Sequence, residues 1–156
     1  MNEYKKGNWA TFCIHNEKET RGFFGEFRFL SNFEPCDIFS YPSVENAYMA
    51  AKLVKEDRAI FKTCSAREAK RDWKNYRLID ADSAAWDARK YDVMVALVFE
   101  KFRGNKALRG KLLLTGDKYL EELNLWKDSY WGVDLKIGGQ NNLGKILMKT
   151  RAFWGP

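Results

Sequence analysis

Between Ser83 and Gly104 the apolar residues Tyr91, Met94, Val95, Val98 and Phe102 recur at one-, three- and four-residue steps. That spacing draws a stripe along one face of an α-helix. A helix from Ala84 to Phe102, with Ser83 as its cap, is about 28 Å long. Gly104 suits the left-handed position that ends such a helix. Further helices follow from the same signals. Ser65 and Glu68 form a capping box before Ala66 to Asn75. Asn105 can cap a short helix with Leu108, Leu112 and Leu113 inside, closed by Gly116. A last helix follows Gly144 through Ile146, Leu147 and Met148. The aromatics from Phe23 to Phe29 favour a strand, with Ile38-Phe39-Ser40-Tyr41 as its partner and a strand-like stretch from Val133 to Ile137. The expected class is α+β, predominantly helical, a single compact domain over 1–156 with a small β element near the N-terminus and a weakly patterned segment over 1–20.

Composition narrows the chemistry. Lys and Arg total 27 against 21 Asp and Glu, a net charge of +6, which favours anionic partners. No run of five like charges marks a basic tail. The three cysteines, Cys13, Cys36 and Cys64, form no CxxC pair. An odd set without that pairing predicts a reducing, cytoplasmic setting rather than a disulfide framework. No signal peptide and no apolar run of 18 residues is present, so a soluble chain with no membrane partner is expected. His15 is the one histidine. A His–Cys metal site and a Ser–His–Asp triad are therefore disfavoured, and neither a metal nor a cofactor is expected. Acid–base work falls to carboxylates and lysine. Aromatics at 15% supply core and, where exposed, platforms for a planar base.

Glu45 and Lys52 are the sharpest such pair. In Ser43-Val-Glu-Asn-Ala-Tyr-Met-Ala-Ala-Lys52 they stand two helical turns apart, on one face. A solvated ion pair accounts for that spacing. A carboxylate and an amine converging on one ligand also suit acid–base or covalent chemistry at a sugar carbon. Gly139-Gln-Asn-Asn-Leu-Gly144-Lys145 approaches a phosphate-cradling loop, but Ile146 replaces the required Ser or Thr. It reads as a tight turn with Asn141 or Asn142 as cap, or as a simple anion site. Asp128-Ser-Tyr-Trp131-Gly132 and Trp86-Asp87 each place a carboxylate beside a large ring, and Lys101-Phe102 closes the long helix. A structural role covers all three.

Together these pieces resemble one family over residues 23–154. Phe24-Gly-Glu-Phe-Arg-Phe-Leu-Ser31-Asn32-Phe33, Tyr41-Pro-Ser-Val-Glu45, Ala50-Ala51-Lys52, Trp86-Asp87-x-Arg89 and Lys101-Phe102-x-x-Asn105 come in order. Leu113-x-Thr115-Gly116, Leu120-x-Glu122, Asp128-x-x-Trp131-Gly132, Gly139-x-Asn141-x-Leu143-Gly144 and Leu147-Met148-x-x-Arg151 complete the set. The pattern is similar to that of the NADAR superfamily, which includes riboflavin-intermediate N-glycosidases. The resemblance implies cleavage of the bond between ribose C1′ and a base. It implies as partner a phosphorylated ribosyl or ADP-ribosyl small molecule, such as a riboflavin-pathway aminopyrimidine riboside, or ADP-ribosylated guanine in nucleic acid. On this reading Glu45 is acid–base or oxocarbenium stabiliser, and Asp128 is the second carboxylate. Lys52 is either a cation for the sugar or phosphate, or a neutral nucleophile. Trp86 and Trp131, with Gly132, frame the base. Ser31 and Asn32 hold ribose hydroxyls. Lys101, Arg151, Gly139 and Asn141 contact phosphate. Many members carry His where this chain has Asn46. A non-catalytic nucleotide-binding module and a basic nucleic-acid-binding domain are the competing readings. The oligomeric state is left open.

Overall fold

The structure, a computed structural model, describes residues 9–12 and 27–155. The described residues form α1 (Val44–Ala50), α2 (Ala66–Asp72), α3 (Ser83–Gly104), α4 (Lys106–Leu114) and α5 (Asn142–Trp154). Their strands are β1 (Trp9–Phe12), β2 (Tyr119–Asn124) and β3 (Val133–Asp134). The α+β, mainly helical class therefore holds. The chain gathers into two compact units. One is Asn32–Lys106; the other is 107–155 with the described residues up to Ser31. Among the described residues no helix is long and apolar enough to cross a membrane.

In the unit of residues 32–106, α1 packs on both α2 and α3. Its core includes Ile38, Val44, Leu53, Phe61, Ala69, Met94, Val98 and Phe102. The stripe on α3 is the expected one, except that Leu97 faces inward and Val95 is 37% exposed. The cap is Asp82, not Ser83. Asp82 holds the extended backbone a cap needs, and its Oδ1 accepts the Ala85 N–H at 2.9 Å. Gly104 is helical rather than left-handed, and the chain leaves the helix at Asn105 in extended conformation. Ser65 caps α2 with the full reciprocal box, as its sequence requires.

Two expected strands are not strands. Residues 28–30 form a 3-10 turn, and residues 23–26 lie outside the described residues. Ile38 and Tyr41 exchange N–H···O bonds of 2.9 and 2.8 Å across Phe39 and Ser40, both at positive φ. The segment is a tight turn, pinned by Asp37 Oδ1 accepting the Ser40 N–H. Turn chemistry overrides the β preference of the aromatics.

In the other unit β2 is the central strand, parallel to β1 on one side and β3 on the other. The β element thus joins residues far apart in sequence, and α5 packs on β2. The helix begins at Asn142, with Gly144 in its first turn. A Cβ on Gly144 would stand 2.2 Å from the Leu120 carbonyl oxygen, so glycine is what lets the helix meet the strand. The strand expected over 133–137 stops at Asp134. Its carboxylate accepts the N–H groups of Lys136, Ile137 and Lys127, which bends the chain into a turn.

Candidate active site

The site is built from α1 outward. Ser43 Oγ accepts the Asn46 N–H at 3.1 Å and starts the helix. The helix ends at Ala50, and the last turn tightens, with the Lys52 N–H donating to Met49 O at 3.2 Å. Lys52 therefore stands just past the helix rather than inside it. The Arg77 and Ile79 backbones hold it there: the Ile79 N–H donates to Lys52 O at 2.9 Å, and the Val54 N–H to Arg77 O at 3.0 Å.

Glu45 is 4% exposed, on the first turn of α1. Its charge acts on the Lys52 amine and favours the protonated form. Burial acts more strongly the other way. The Lys52 pKa is pushed from 10.5 down to about 8, chiefly by loss of water, with Lys70, Lys90 and Lys74 adding repulsion. The contest between burial and ion pairing, open in the sequence, is thus won by burial.

The Lys52 side chain lines a cavity of about 160 Å³, with Trp73 and Trp86 as large walls, Leu78 and Ala81 beside them, and Asp80, Asp82 and Ser83 at the start of α3. Nζ lies 4.0 Å from the Trp73 ring centroid, 5.2 Å from Tyr48 and 5.5 Å from Trp86. Tyr48 and Trp86 are themselves in contact, with centroids 5.2 Å apart. Arg89 covers Trp86 at 4.5 Å, pairs with Asp80 at 2.8 Å and donates to Ala51 O at 3.0 Å. It thereby ties the ring to the chain that carries Lys52. Glu45 does not line this cavity. Trp73 was not singled out in the sequence, because it belongs to no motif. The Ser65 capping box fixes only where α2 starts, and no local signal marks the turn at Trp73 that ends it.

Other residues of this unit have defined partners. Asn32 Nδ2 donates to Met94 Sδ at 3.5 Å, and Asn32 O accepts the Glu45 N–H at 3.0 Å. Asn32 therefore sets the position of Glu45. Lys101 is 2% exposed, and burial lowers its pKa to about 8 against the attraction of Cys36 and Glu34. Its amine is enclosed by protein. Asn46 is wholly buried and fully used. Nδ2 donates to Phe61 O and Cys64 O at 3.0 and 2.8 Å, while Oδ1 accepts from Ser43 Oγ at 2.6 Å. Position 46 is a structural tie in this chain.

The remaining candidates lie in the other unit. Ser31, 2% exposed, closes the 3-10 turn by donating its N–H to Arg28 O. Asp128 Oδ1 accepts the N–H groups of Tyr130 and Trp131 at 3.2 and 2.9 Å. It shapes the loop that presents Trp131, whose ring meets Tyr130 edge-on at 4.8 Å. Gly132 and Gly139 are in backbone contact, since a Cβ on Gly139 would stand 2.1 Å from Gly132 O. Asn141 sits at φ 53 and gives its side chain to β2. It accepts from the Glu122 N–H and donates to Leu120 O and Tyr119 Oη. Arg151 donates to Thr115 Oγ1 and Lys118 O, both at 2.8 Å. Ser31 and Asp128 thus hold their own turns, whereas Asn141 and Arg151 tie together segments far apart in the chain.

The NADAR domain profile matches residues 9–153. The chain belongs to the NADAR domain family. It is 33% identical over 142 residues to an N-glycosidase of Nostoc punctiforme, covering 78% of this chain and 82% of that one. An N-glycosidase of Acanthamoeba polyphaga mimivirus is 33% identical over 130 residues, covering 74% and 75%. A riboflavin biosynthesis protein of Vibrio vulnificus is 36% identical over 129 residues, 79% of this chain but 34% of that one. The chain thus spans about a third of that longer relative. The NMR structure of the E. coli protein YbiA aligns over 93% of this chain and 85% of its own, with a TM-score of 0.72 and 25% identity. N-glycosidase is therefore the activity named for NADAR relatives that this chain matches over most of their length.

Proposed function

We propose that this NADAR chain is an N-glycosidase that hydrolyses the C1′–N bond between a ribose and a base, with Lys52 as nucleophile. The observation that carries the reading is the Lys52 amine, drawn down to about 8 at the wall of an aromatic-lined cavity and coupled to buried Glu45. A lysine attacks only as the neutral amine, and burial supplies that form near neutral pH. At about 160 Å³ the cavity has room for one flat ring or one pentose. Trp73 and Trp86 are surfaces against which a base can stack.

In the proposed sequence the neutral Lys52 amine attacks C1′ as the C1′–N bond breaks, and the departing base takes a proton from water, leaving hydroxide. Glu45 accepts the proton lost by the new C1′–N linkage and passes it to the ring oxygen as the ribose opens to a Schiff base on Lys52. The hydroxide then adds to the Schiff base, and collapse of that adduct releases the sugar and restores the neutral amine and the Glu45 carboxylate. The net change is one water consumed, one base and one free ribose end formed. The substrate is a phosphorylated ribosyl or ADP-ribosyl conjugate, either a riboflavin-pathway aminopyrimidine riboside or ADP-ribosylated guanine. The charge of +6 suits the phosphates of either.

The test is mass spectrometry of products from each conjugate, with borohydride added to trap sugar on the protein. Base release is expected from one of them, with a trapped adduct on Lys52. The rate should rise with pH and level off above about 8. Lys52→Ala should abolish release and adduct together, and Glu45→Gln should cut turnover by about 100-fold or more. Full turnover in both variants on an active substrate contradicts the scheme.

A further inference from the structure

We infer that Trp73 is the positioning residue of the Lys52 amine: its indole, 4.0 Å from Nζ, is the dry wall that holds the amine at the cavity and keeps water from it. The inference rests on the proposed role of Lys52 and extends it to a residue outside the family-like motifs.

The geometry is specific. The capping box at Ser65 fixes α2, and the 3-10 turn Trp73–Asn75 follows it directly. The Tyr76 N–H donates to Trp73 O at 3.2 Å and closes that turn. A few residues on, the 77–79 backbone is bonded to the chain on both sides of Leu53, through the Val54 N–H to Arg77 O and the Ile79 N–H to Lys52 O. The indole and the lysine are therefore held by the same short stretch of chain. Of the three rings around Nζ, Trp73 is the nearest by more than 1 Å. Trp86, by contrast, is already covered by Arg89.

A ring so placed has two opposed effects. It excludes water, which penalises the ammonium. Its face also attracts the ammonium, which favours it. The charges around Lys52 must be weighed as well. Glu45 on α1 favours the cation, whereas Lys70 on α2, Lys74 on the Trp73 turn and Lys90 on α3 oppose it. Asp87 is paired with Lys90 and Asp80 with Arg89, and Asp82 caps α3. The carboxylates near the cavity are thus engaged, and burial outweighs the other influences on the amine. Exclusion of water is the effect assigned to Trp73.

The experiment is competitive acetylation of the whole protein with acetic anhydride across pH, reading the Lys52 peptide by mass spectrometry. Wild type should titrate near 8. Trp73→Ala should move that midpoint up by at least one pH unit, toward 10.5, and cut Lys52 labelling at pH 7.5 about tenfold. Trp73→Phe should stay near wild type. Lys74→Met should shift the midpoint upward by less than Trp73→Ala, since it removes only a repulsion. Lys101, buried in the same unit, reports on folding: its enclosed amine must stay protected from acetylation in every variant. Trp73→Leu replaces Trp73→Ala if the latter fails that check. A midpoint in the folded Ala or Leu variant that is unchanged, or lower, overturns the inference, because the ring then acts through attraction or not at all. No substrate is involved, so this result is independent of base release, and failure of base release leaves the titration untouched.

Discussion

Replacing Lys101 by Met should stabilise the protein, and the gain should vanish with alkali. Lys101 is 2% exposed on α3, and its pKa is about 8 in the fold against 10.5 when solvated. The folded state therefore binds its proton less tightly than the unfolded chain. A lowered lysine pKa costs stability fully below about 8, and the cost disappears as pH rises to 10.5. The gap corresponds to roughly 3 kcal/mol at pH 7 and to a little under half of that at pH 9.5. The attractions of Cys36 and Glu34 are already contained in that value and do not outweigh burial. Methionine keeps most of the volume and carries no charge. Urea unfolding at pH 7 and pH 9.5 is the assay, comparing Lys101→Met with wild type at each pH so that other titrations cancel. The variant should be more stable by up to roughly 3 kcal/mol at pH 7, with the difference shrinking to a little under half of that at pH 9.5. A variant less stable at both pH values by the same amount refutes the reasoning. It would show that the amine makes contacts worth more than its desolvation. The same variant tests the phosphate-binding role expected for Lys101: an enclosed amine predicts an unchanged KM.

Asn46→Ala should destabilise by about 3 kcal/mol, lowering Tm by about 10 °C, because the carbonyls of Phe61 and Cys64 lose their shared donor. Asn46→His should also lower Tm, and an unchanged melt for either would remove the structural role given to this amide. The glycines offer a matched contrast. Gly144→Ala should unfold the protein or cost several kcal/mol, since its Cβ meets the Leu120 carbonyl at 2.2 Å. Gly110→Ala, in α4 with open space around its Cβ, should add about 0.5–1 kcal/mol. Equal melting shifts for the two would disprove the close helix–strand approach.

Local patterns settled a good deal of this molecule. Ser43, Ser65 and Gly116 mark helix ends because capping and left-handed turns depend on a few adjacent atoms. The Met94, Val98 and Phe102 stripe marks a buried face because helical period is a local property. The Glu45 and Lys52 pairing followed from the same period, although Lys52 proved to lie just beyond the helix. Sequence did not show that Ile38 to Tyr41 is a turn, since Asp37 closes it with a side-chain bond that competes with the strand. Nor did it show the duties of Asn141 and Arg151. Their partners lie 19 to 36 residues away along the chain.

The amino-acid order alone determined, to within about two residues, where the helices lie and which faces they bury, because each depends on neighbours within about four residues. Only the tertiary fold decided that the Lys52 amine is half-starved of water. That outcome is the sum of Trp73, Trp86 and Tyr48 arriving from three separate elements around one nitrogen. Solvation is a property of everything that surrounds a group, and no short stretch of chain carries it.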